Sequence, residues 1–247
     1  MTSATEPSPA PPRTDPEHAR VIRHIFATVT GTYDFLNHVL SVRRDVAWRR
    51  KTVGEIRFFR TRRLLDVATG TCDLAIEAAR RRPDIRVVGA DLVPEMMVRG
   101  RAKIRRSGLS SRVRLVQGDA LALPFEDGAF DAAAVAFGIR NMPDRVAALR
   151  EMARVVAPGG LVLVLEMALP RSPAFRRLYE LYLNRILPRV ARFFSPNPGA
   201  YRYLARSIMD FPDPDAFAGL MRRSGLEGVE IHALTFGIAY LHTGRKP

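Results

Sequence analysis

Leu64-Leu65-Asp66-Val67-Ala68-Thr69-Gly70-Thr71-Cys72-Asp73 decides how this chain folds. Its apolar start, closing on an acid, reads as a buried strand. The small residues that follow read as a tight turn, and the next segment as a helix. Such a strand–turn–helix lets backbone N–H groups and a helix N-terminus approach a nucleoside closely. About one βαβ unit further on, Val87-Val88-Gly89-Ala90-Asp91 ends a second strand on an acid. That carboxylate is placed to accept hydrogen bonds from both hydroxyls of a ribose. The two strand ends together point to a cofactor pocket and leave the cofactor open.

Outward from this core, helices over Thr71 to Arg81 and from Pro94 alternate with strands at Val113 to Gln117, Asp131 to Phe137 and Leu161 to Glu166. Pro94 suits a first helical turn, where its missing N–H costs nothing. A helix over Arg145 to Val156 is expected to stop at Pro158-Gly159-Gly160. The unbroken apolar run of the fifth strand fits a parallel strand covered on both faces. Five strand–helix alternations predict a doubly wound α/β sheet.

The flanks differ in character. Residues 1–17, rich in Pro, Ser, Thr and Ala, read as a disordered tail. Residues 18–60 read as N-terminal helices, interrupted at Tyr33-Asp34-Phe35-Leu36-Asn37-His38. Residues 172–224 read as a helical cap inserted in the 18–247 domain. There Phe175, Leu178, Tyr179, Tyr182, Leu183, Ile186, Leu187 and Val190 recur at helical spacing and predict a core-facing helix over Pro173 to Phe194, broken by Pro188. The arginines off that stripe give it the amphipathic pattern of an interfacial helix as well. Two last strands, Val229 to Leu234 and Ile238 to His242, form an antiparallel pair through Phe236-Gly237.

Composition narrows the function classes. With 247 residues and 47% apolar content, one domain with a cap is expected. No apolar run approaches the ~18 residues of a membrane span, and no secretory signal is visible, so a cytoplasmic location is expected. The single cysteine, Cys72, excludes an internal disulfide and a cysteine-built metal site. As a nucleophile Cys72 would need a basic partner and a lowered pKa, whereas a small loop residue needs neither. The net charge is +14, yet only Lys51, Lys103 and Lys246 are lysines. An arginine skew of this kind reads as a solvated basic surface, attracted to anionic lipid, rather than as a nucleic-acid site.

Four groups of residues carry a family likeness. They are Tyr33-Asp34-Phe35-Leu36-Asn37 with Trp48-Arg49-Arg50; Leu65 to Thr71; Ala136-Phe137-Gly138-Ile139-Arg140-Asn141 with Ala148 to Met152; and Tyr201-Arg202-Tyr203-Leu204, followed by Thr235-Phe236-Gly237-Ile238 and Leu241-His242. From about Val21 to Pro247 the chain resembles the C-methyltransferases of ubiquinone and menaquinone biosynthesis. The resemblance implies a class I S-adenosylmethionine-dependent fold, a Rossmann-like doubly wound sheet with a terminal antiparallel hairpin and a helical cap. It implies S-adenosylmethionine as cofactor, with Gly70 and Thr71 at its methionine end, Asp91 and Leu92 at the ribose, and Asp119 and Ala120 at the adenine. Asp66, Ala68 and Ala136 complete that set. Cys72 stands where the family usually has glycine, and Ala136 where many members have serine.

The implied substrate is a polyprenylated quinol, demethylmenaquinol first, with a ubiquinone-pathway benzoquinol or another small aromatic or lipid as the alternative. Arg140 and Asn141 would hold the phenolate, while water, His38, Asp34 or Tyr201 would take its proton. Peripheral association with the inner face of the cytoplasmic membrane fits a prenylated substrate, and a homodimer is compatible with the sequence. A nucleic-acid amine methyltransferase would often show Asn-Pro-Pro-aromatic where Phe137-Gly138-Ile139-Arg140-Asn141 stands. A nicotinamide dehydrogenase and a non-catalytic quinone carrier are the other rivals, distinguished by cofactor binding and by methyl transfer.

Overall fold

The computed structural model describes residues 14–29, 41, 43–187, 189 and 198–247. Five strands run parallel: β1 (Arg63–Val67), β2 (Arg86–Asp91), β3 (Val113–Gln117), β4 (Phe130–Ala136) and β5 (Val156–Met167). β6 (Glu227–Leu234) and β7 (Ala239–Arg245) join antiparallel at the β5 edge. The sheet order is β3-β2-β1-β4-β5-β7-β6, the expected doubly wound sheet with a terminal hairpin. The helices are α1 (Pro16–Val29), α2 (Arg44–Glu55), α3 (Asp73–Arg81), α4 (Pro94–Arg106), α5 (Arg145–Val155), α6 (Pro173–Leu181), α7 (Pro198–Met209) and α8 (Pro214–Arg223).

Strand periodicity divides the core into two layers, because successive side chains leave a strand on opposite faces. Leu64, Leu163 and Leu165 pack with Trp48 and Val53 of α2 and with Leu74 and Ile76 of α3. Their neighbours Leu65, Val67, Val162 and Val164 pack on the other face with Leu149 and Met152 of α5 and Phe217 and Met221 of α8. Burying each such side chain stabilises the fold by about 1.5–3 kcal/mol. Asp131, buried at the head of β4, accepts the backbone N–H groups of Phe59, Arg60, Thr61 and Arg62 at 2.8–3.2 Å. Burial alone would raise its pKa, but these donors hold it below the ordinary carboxylate value. The segment entering β1 is thereby tied to its neighbour.

Three expectations change. Pro158-Gly159-Gly160 does not stop a helix, because α5 already ends at Val155 and the chain enters β5 at once. Val156 pairs with Phe130 and Leu161 with Ala132, so the glycines lie in an irregular stretch between them. There the Gly159 N–H and Gly160 C=O bond to the Lys246 backbone at 2.9 Å. A Cβ on Gly160 would sit 2.4 Å from the Asp131 carbonyl oxygen, which explains the glycine. The cap helix, in turn, ends at Leu181 and passes into a π-helical turn, Tyr182–Ile186, ahead of Pro188. Its apolar stripe splits: Tyr179, Leu183 and Leu187 are buried while Leu178 and Ile186 are exposed. Finally, the expected tail boundary at residue 17 moves, because α1 starts at Pro16 and Thr14 is already bonded to the domain.

Candidate active site

The strand order reverses between β1 and β4, and open α/β sheets bind ligands at the carboxyl ends flanking such a reversal. A cleft of about 740 Å³, partly open to solvent, lies there and takes in Ala68, Gly70, Asp91, Asp119, Phe137 and Asn141. One wall is the loop after β1. Ala68, Gly70 and Cys72 have φ of +52°, +53° and +69°, so every second residue is left-handed. A coil of this kind presents backbone N–H groups to a ligand. Asp91 holds it from the next strand, its Oδ2 accepting from Gly70 N at 2.7 Å and its Oδ1 from Val93 N at 2.8 Å. Burial raises the Asp91 pKa while the backbone donors oppose the rise. A carboxylate has about four acceptor positions, so Asp91 keeps capacity for ribose hydroxyls.

The remaining cofactor candidates divide into residues at the cleft and residues behind it. Leu92 and Ala120 line the cleft, whereas Asp66, Thr71 and Ala136 do not. Asp66 braces the loop from within, accepting from Thr69 Oγ1 at 2.6 Å and from Ala75 N at 3.1 Å. Burial pushes its pKa up to about 7. Thr71 is buried and accepts from Lys103 Nζ at 3.3 Å, and Lys103 is in turn ion-paired with Asp73. Cys72 packs against α4, where a Cβ on Gly100 would meet its Sγ at 2.2 Å. Burial pushes the Cys72 thiol up to about 12, the reverse of what a nucleophile requires.

Helices supply the facing wall. Thr14 donates to Asp119 twice, from N to Oδ2 at 2.7 Å and from Oγ1 to Oδ1 at 2.9 Å. His18 Nε2 lies 2.9 Å from the Asn141 carbonyl oxygen. A carbonyl only accepts, so Nε2 carries the proton, and in the neutral ring Nδ1 is the acceptor. Tyr203 of α7 donates its hydroxyl to Asn141 Oδ1 at 3.0 Å. Ile22 and Phe26 of α1 close the cleft above Val93 and Met96. Phe137 is held at φ +61°, a conformation that a bulky residue adopts only under constraint. Trp48 packs on its ring at 6.1 Å and the Arg49 guanidinium lies 5.4 Å from it. Trp48 Nε1 is anchored on Thr235 Oγ1 at 2.9 Å.

Arg140 lies outside the cleft lining, unlike its neighbour Asn141. Its Nη1 pairs with Glu166 Oε1 at 2.5 Å, with side chains 3% and 1% exposed. Glu166 also accepts the backbone N–H groups of Arg140 at 3.3 Å and Met167 at 2.8 Å. A buried guanidinium requires such a partner, and Glu166 supplies one. Tyr179 is buried near this pair, its pKa raised by burial. Asp34 and His38 lie outside the described residues, as does the side chain of Tyr201. His242 is buried, Nε2 bonding the Pro214 carbonyl at 3.0 Å, and burial lowers its pKa to about 4.

Thr14, His18, Tyr203 and Glu166 escape the sequence reading as site residues. For the first two a signal exists: Asp15-Pro16-Glu17 places a capping acid before a proline and an acid in a first helical turn. Asp15 Oδ2 indeed accepts from His18 N at 3.2 Å. Nothing in the order of residues pairs Glu166 with Arg140, since only adjacent strand ends bring them together.

The cleft suits a cationic nucleoside. Asp91 and Asp119 supply acceptors near successive strand ends, and the left-handed loop supplies donors. Fold and site define a class I S-adenosylmethionine-dependent methyltransferase. Solved structures share that fold. A methyltransferase of Thermotoga maritima has a TM-score of 0.64 at 20% identity, covering 92% of this chain and 100% of that one. A phosphoethanolamine N-methyltransferase of Haemonchus contortus, solved with S-adenosylhomocysteine, has a TM-score of 0.64 at 15% identity, covering 91% and 60%. The chain belongs to the ubiE/COQ5 methyltransferase family, whose model matches residues 13–246. It is 43% identical over 230 residues to a demethylmenaquinone methyltransferase of Deinococcus radiodurans, covering 93% of this chain and 94% of that one. To a protein of the same name in Thermus thermophilus it is 45% identical over 223 residues, covering 90% and 100%. A ubiquinone/menaquinone biosynthesis C-methyltransferase UbiE of a Geobacter species is 42% identical, covering 93% and 98%.

Proposed function

We propose that this chain methylates a ring carbon of a polyprenylated quinol, with demethylmenaquinol as its substrate. The observation that carries the reading is the switch-point cleft, which joins a nucleoside-binding wall to an imidazole and an amide on the facing helices. The names of the most similar relatives favour the naphthoquinol ring. S-adenosylmethionine, when bound, supplies an electrophilic methyl on a sulfonium. Gly70 and Asp91 hold its nucleoside and methionine parts, and Asp119 accepts from the adenine. Phe137, braced by Trp48 and Arg49, screens the cation from water.

A quinol carbon becomes nucleophilic once the neighbouring hydroxyl loses its proton, because phenolate charge spreads into the ring. His18 takes that proton on Nδ1, its tautomer fixed by the Asn141 carbonyl. Asn141 commits its Oδ1 to Tyr203, which leaves its amide N–H groups to stabilise the phenolate. Arg140 acts as a positioning residue, tying the turn that carries Asn141 to β5 through Glu166. Alignment of the carbon with the methyl supplies much of the rate. The methylated carbon then loses its ring proton to solvent as the ring regains aromaticity, while the sulfonium would leave as a neutral thioether. The enzyme works as a peripheral protein on the inner face of the cytoplasmic membrane, where the prenyl tail lies. Among the described residues no helix is long and apolar enough to cross a membrane.

Incubation with methyl-labelled S-adenosylmethionine and reduced demethylmenaquinol should place the label on a ring carbon, with a reduced demethylated benzoquinol as the parallel arm. Label on oxygen, or on neither quinol, refutes the reading; label only on the benzoquinol moves the substrate. His18→Gln should lower kcat by roughly 10²–10³-fold. An unchanged kcat would take His18 out of the reaction.

A further inference from the structure

The split stripe of α6 leaves an apolar face with no partner in the described fold. Leu178 is 58% exposed, Leu181 45% and Ile186 46%. In a π-helical turn residues five apart become neighbours, so Ile186 falls on the side of Leu181. Phe175, at the start of α6, meets Phe236 edge-on with ring centroids 5.9 Å apart, and Phe236 is 85% exposed at the β6–β7 connection. Isolated exposed apolar residues need no explanation, but a contiguous set of large ones marks a binding surface. Charge says what kind. Residues 171–189 carry Arg171, Arg176, Arg177, Arg185 and Arg189 against one acid, Glu180, and Glu180 is itself bonded to Arg176.

The face also adjoins the cleft. Phe236 follows Thr235, which anchors Trp48, and Trp48 packs on Phe137 in the cleft wall. On its inner side α6 buries Tyr179 beside the Arg140–Glu166 pair. α6 therefore lies between the Arg140–Glu166 pair and this apolar and basic exterior.

We propose that Leu178, Leu181, Ile186 and Phe236, flanked by Arg177, Arg185 and Arg189, form the surface that docks on an anionic lipid bilayer. The apolar side chains enter the headgroup boundary while the guanidinium groups meet lipid phosphates, as on interfacial amphipathic helices. The docked orientation sets the cleft at the bilayer surface, so that a prenyl tail stays in lipid while its ring enters the site. That last step rests on the quinol reading; docking itself does not.

The test uses the full chain without quinol, sedimented with vesicles of phosphatidylcholine alone or mixed with phosphatidylglycerol. Wild type should bind the anionic vesicles at least tenfold more tightly. Arg177→Ala/Arg185→Ala/Arg189→Ala should lose on the order of 10²-fold in that affinity, at about a kcal/mol per basic residue. Leu178→Ser/Leu181→Ser/Phe236→Ser should lose binding to a similar extent, with Phe236→Ser alone as the milder variant. Each variant should keep wild-type affinity for S-adenosylmethionine and wild-type turnover of a short-tailed soluble quinol, while turnover of a long-tailed quinol in vesicles falls. Equal binding of wild type and variants to anionic vesicles would overturn the assignment. So would sedimentation showing that the apolar variant converts a dimer to a monomer with vesicle binding intact, since the face would then belong to a second copy. Loss of methyl transfer to every quinol, with vesicle binding as predicted, would count against the substrate and not against the docking surface.

Discussion

The strand-end wall of the cleft and the helical wall facing it are held by different kinds of bond. Gly70, Asp91 and Asp66 are fixed by backbone donors and by strands buried on both faces, so their positions follow from the sheet. Thr14, just ahead of α1, His18 of α1 and Tyr203 of α7 reach the site through contacts to Asp119 and Asn141. The first wall is preorganised by the fold. The second depends on a few polar bonds and a small apolar cluster around Ile22, Val93 and Met96. On the proposed function, cofactor binding falls to the framework and substrate handling to the attached layer.

Arg140 stands where the two walls meet and should give the largest effect. Arg140→Ala leaves the Glu166 carboxylate buried without its partner and should cost about 3–5 kcal/mol of stability in urea unfolding. Arg140→Met combined with Glu166→Leu should recover much of the loss, because no charge then stays buried alone. If the double variant is no more stable than the single, the pair does more than neutralise itself.

Acid acts on the framework in opposite senses: Asp66, its pKa raised to about 7, gains stability as pH falls below 7, whereas His242 loses it. His242, buried in β7 against Phe217, has its pKa lowered to about 4, so the unfolded chain takes up a proton that the folded chain refuses. This contribution is present above the unfolded value near 6.5 and is lost as pH falls from there towards 4, on the order of 3 kcal/mol in all. Unfolding of His242→Gln should lack that slope between pH 6.5 and 4. A wild-type slope in the variant would assign the acid loss elsewhere.

The smallest change should come from the arm. Thr14→Val removes one hydrogen bond to Asp119, worth about 1 kcal/mol, and should speed hydrogen exchange in α1 without altering exchange in β1 or β2. Faster exchange in both walls would mean that they are not separate.

The same division explains what the sequence discloses. β1 and β2 are legible to within a residue because a strand buried on both faces writes a nearly continuous apolar run with an acid at its carboxyl end. Asp91 follows from that pattern. The direction in which Asp66 turns does not, since one more residue of loop decides whether a carboxylate faces ligand or backbone. The cap helix is legible as a helix but not as a split one: its stripe is wider than the core can cover, and spacing cannot say which half finds a partner. Arg140 is visible in the family motif, yet its counter-ion comes from a strand that only the sheet order places beside it. Thr14 sits where composition reads as tail, while His18 opens the segment read as helical, so the Asp15-Pro16 cap that starts the helix falls within the expected tail.

Asp91 shapes the loop after β1 and, on the proposed function, also receives the cofactor. Calorimetric titration of S-adenosylmethionine into wild type and Asp91→Ala measures this directly. The variant should bind on the order of 10²-fold more weakly, having lost charge-assisted bonds on both sides of the carboxylate. Wild-type affinity in a folded Asp91→Ala would contradict the account.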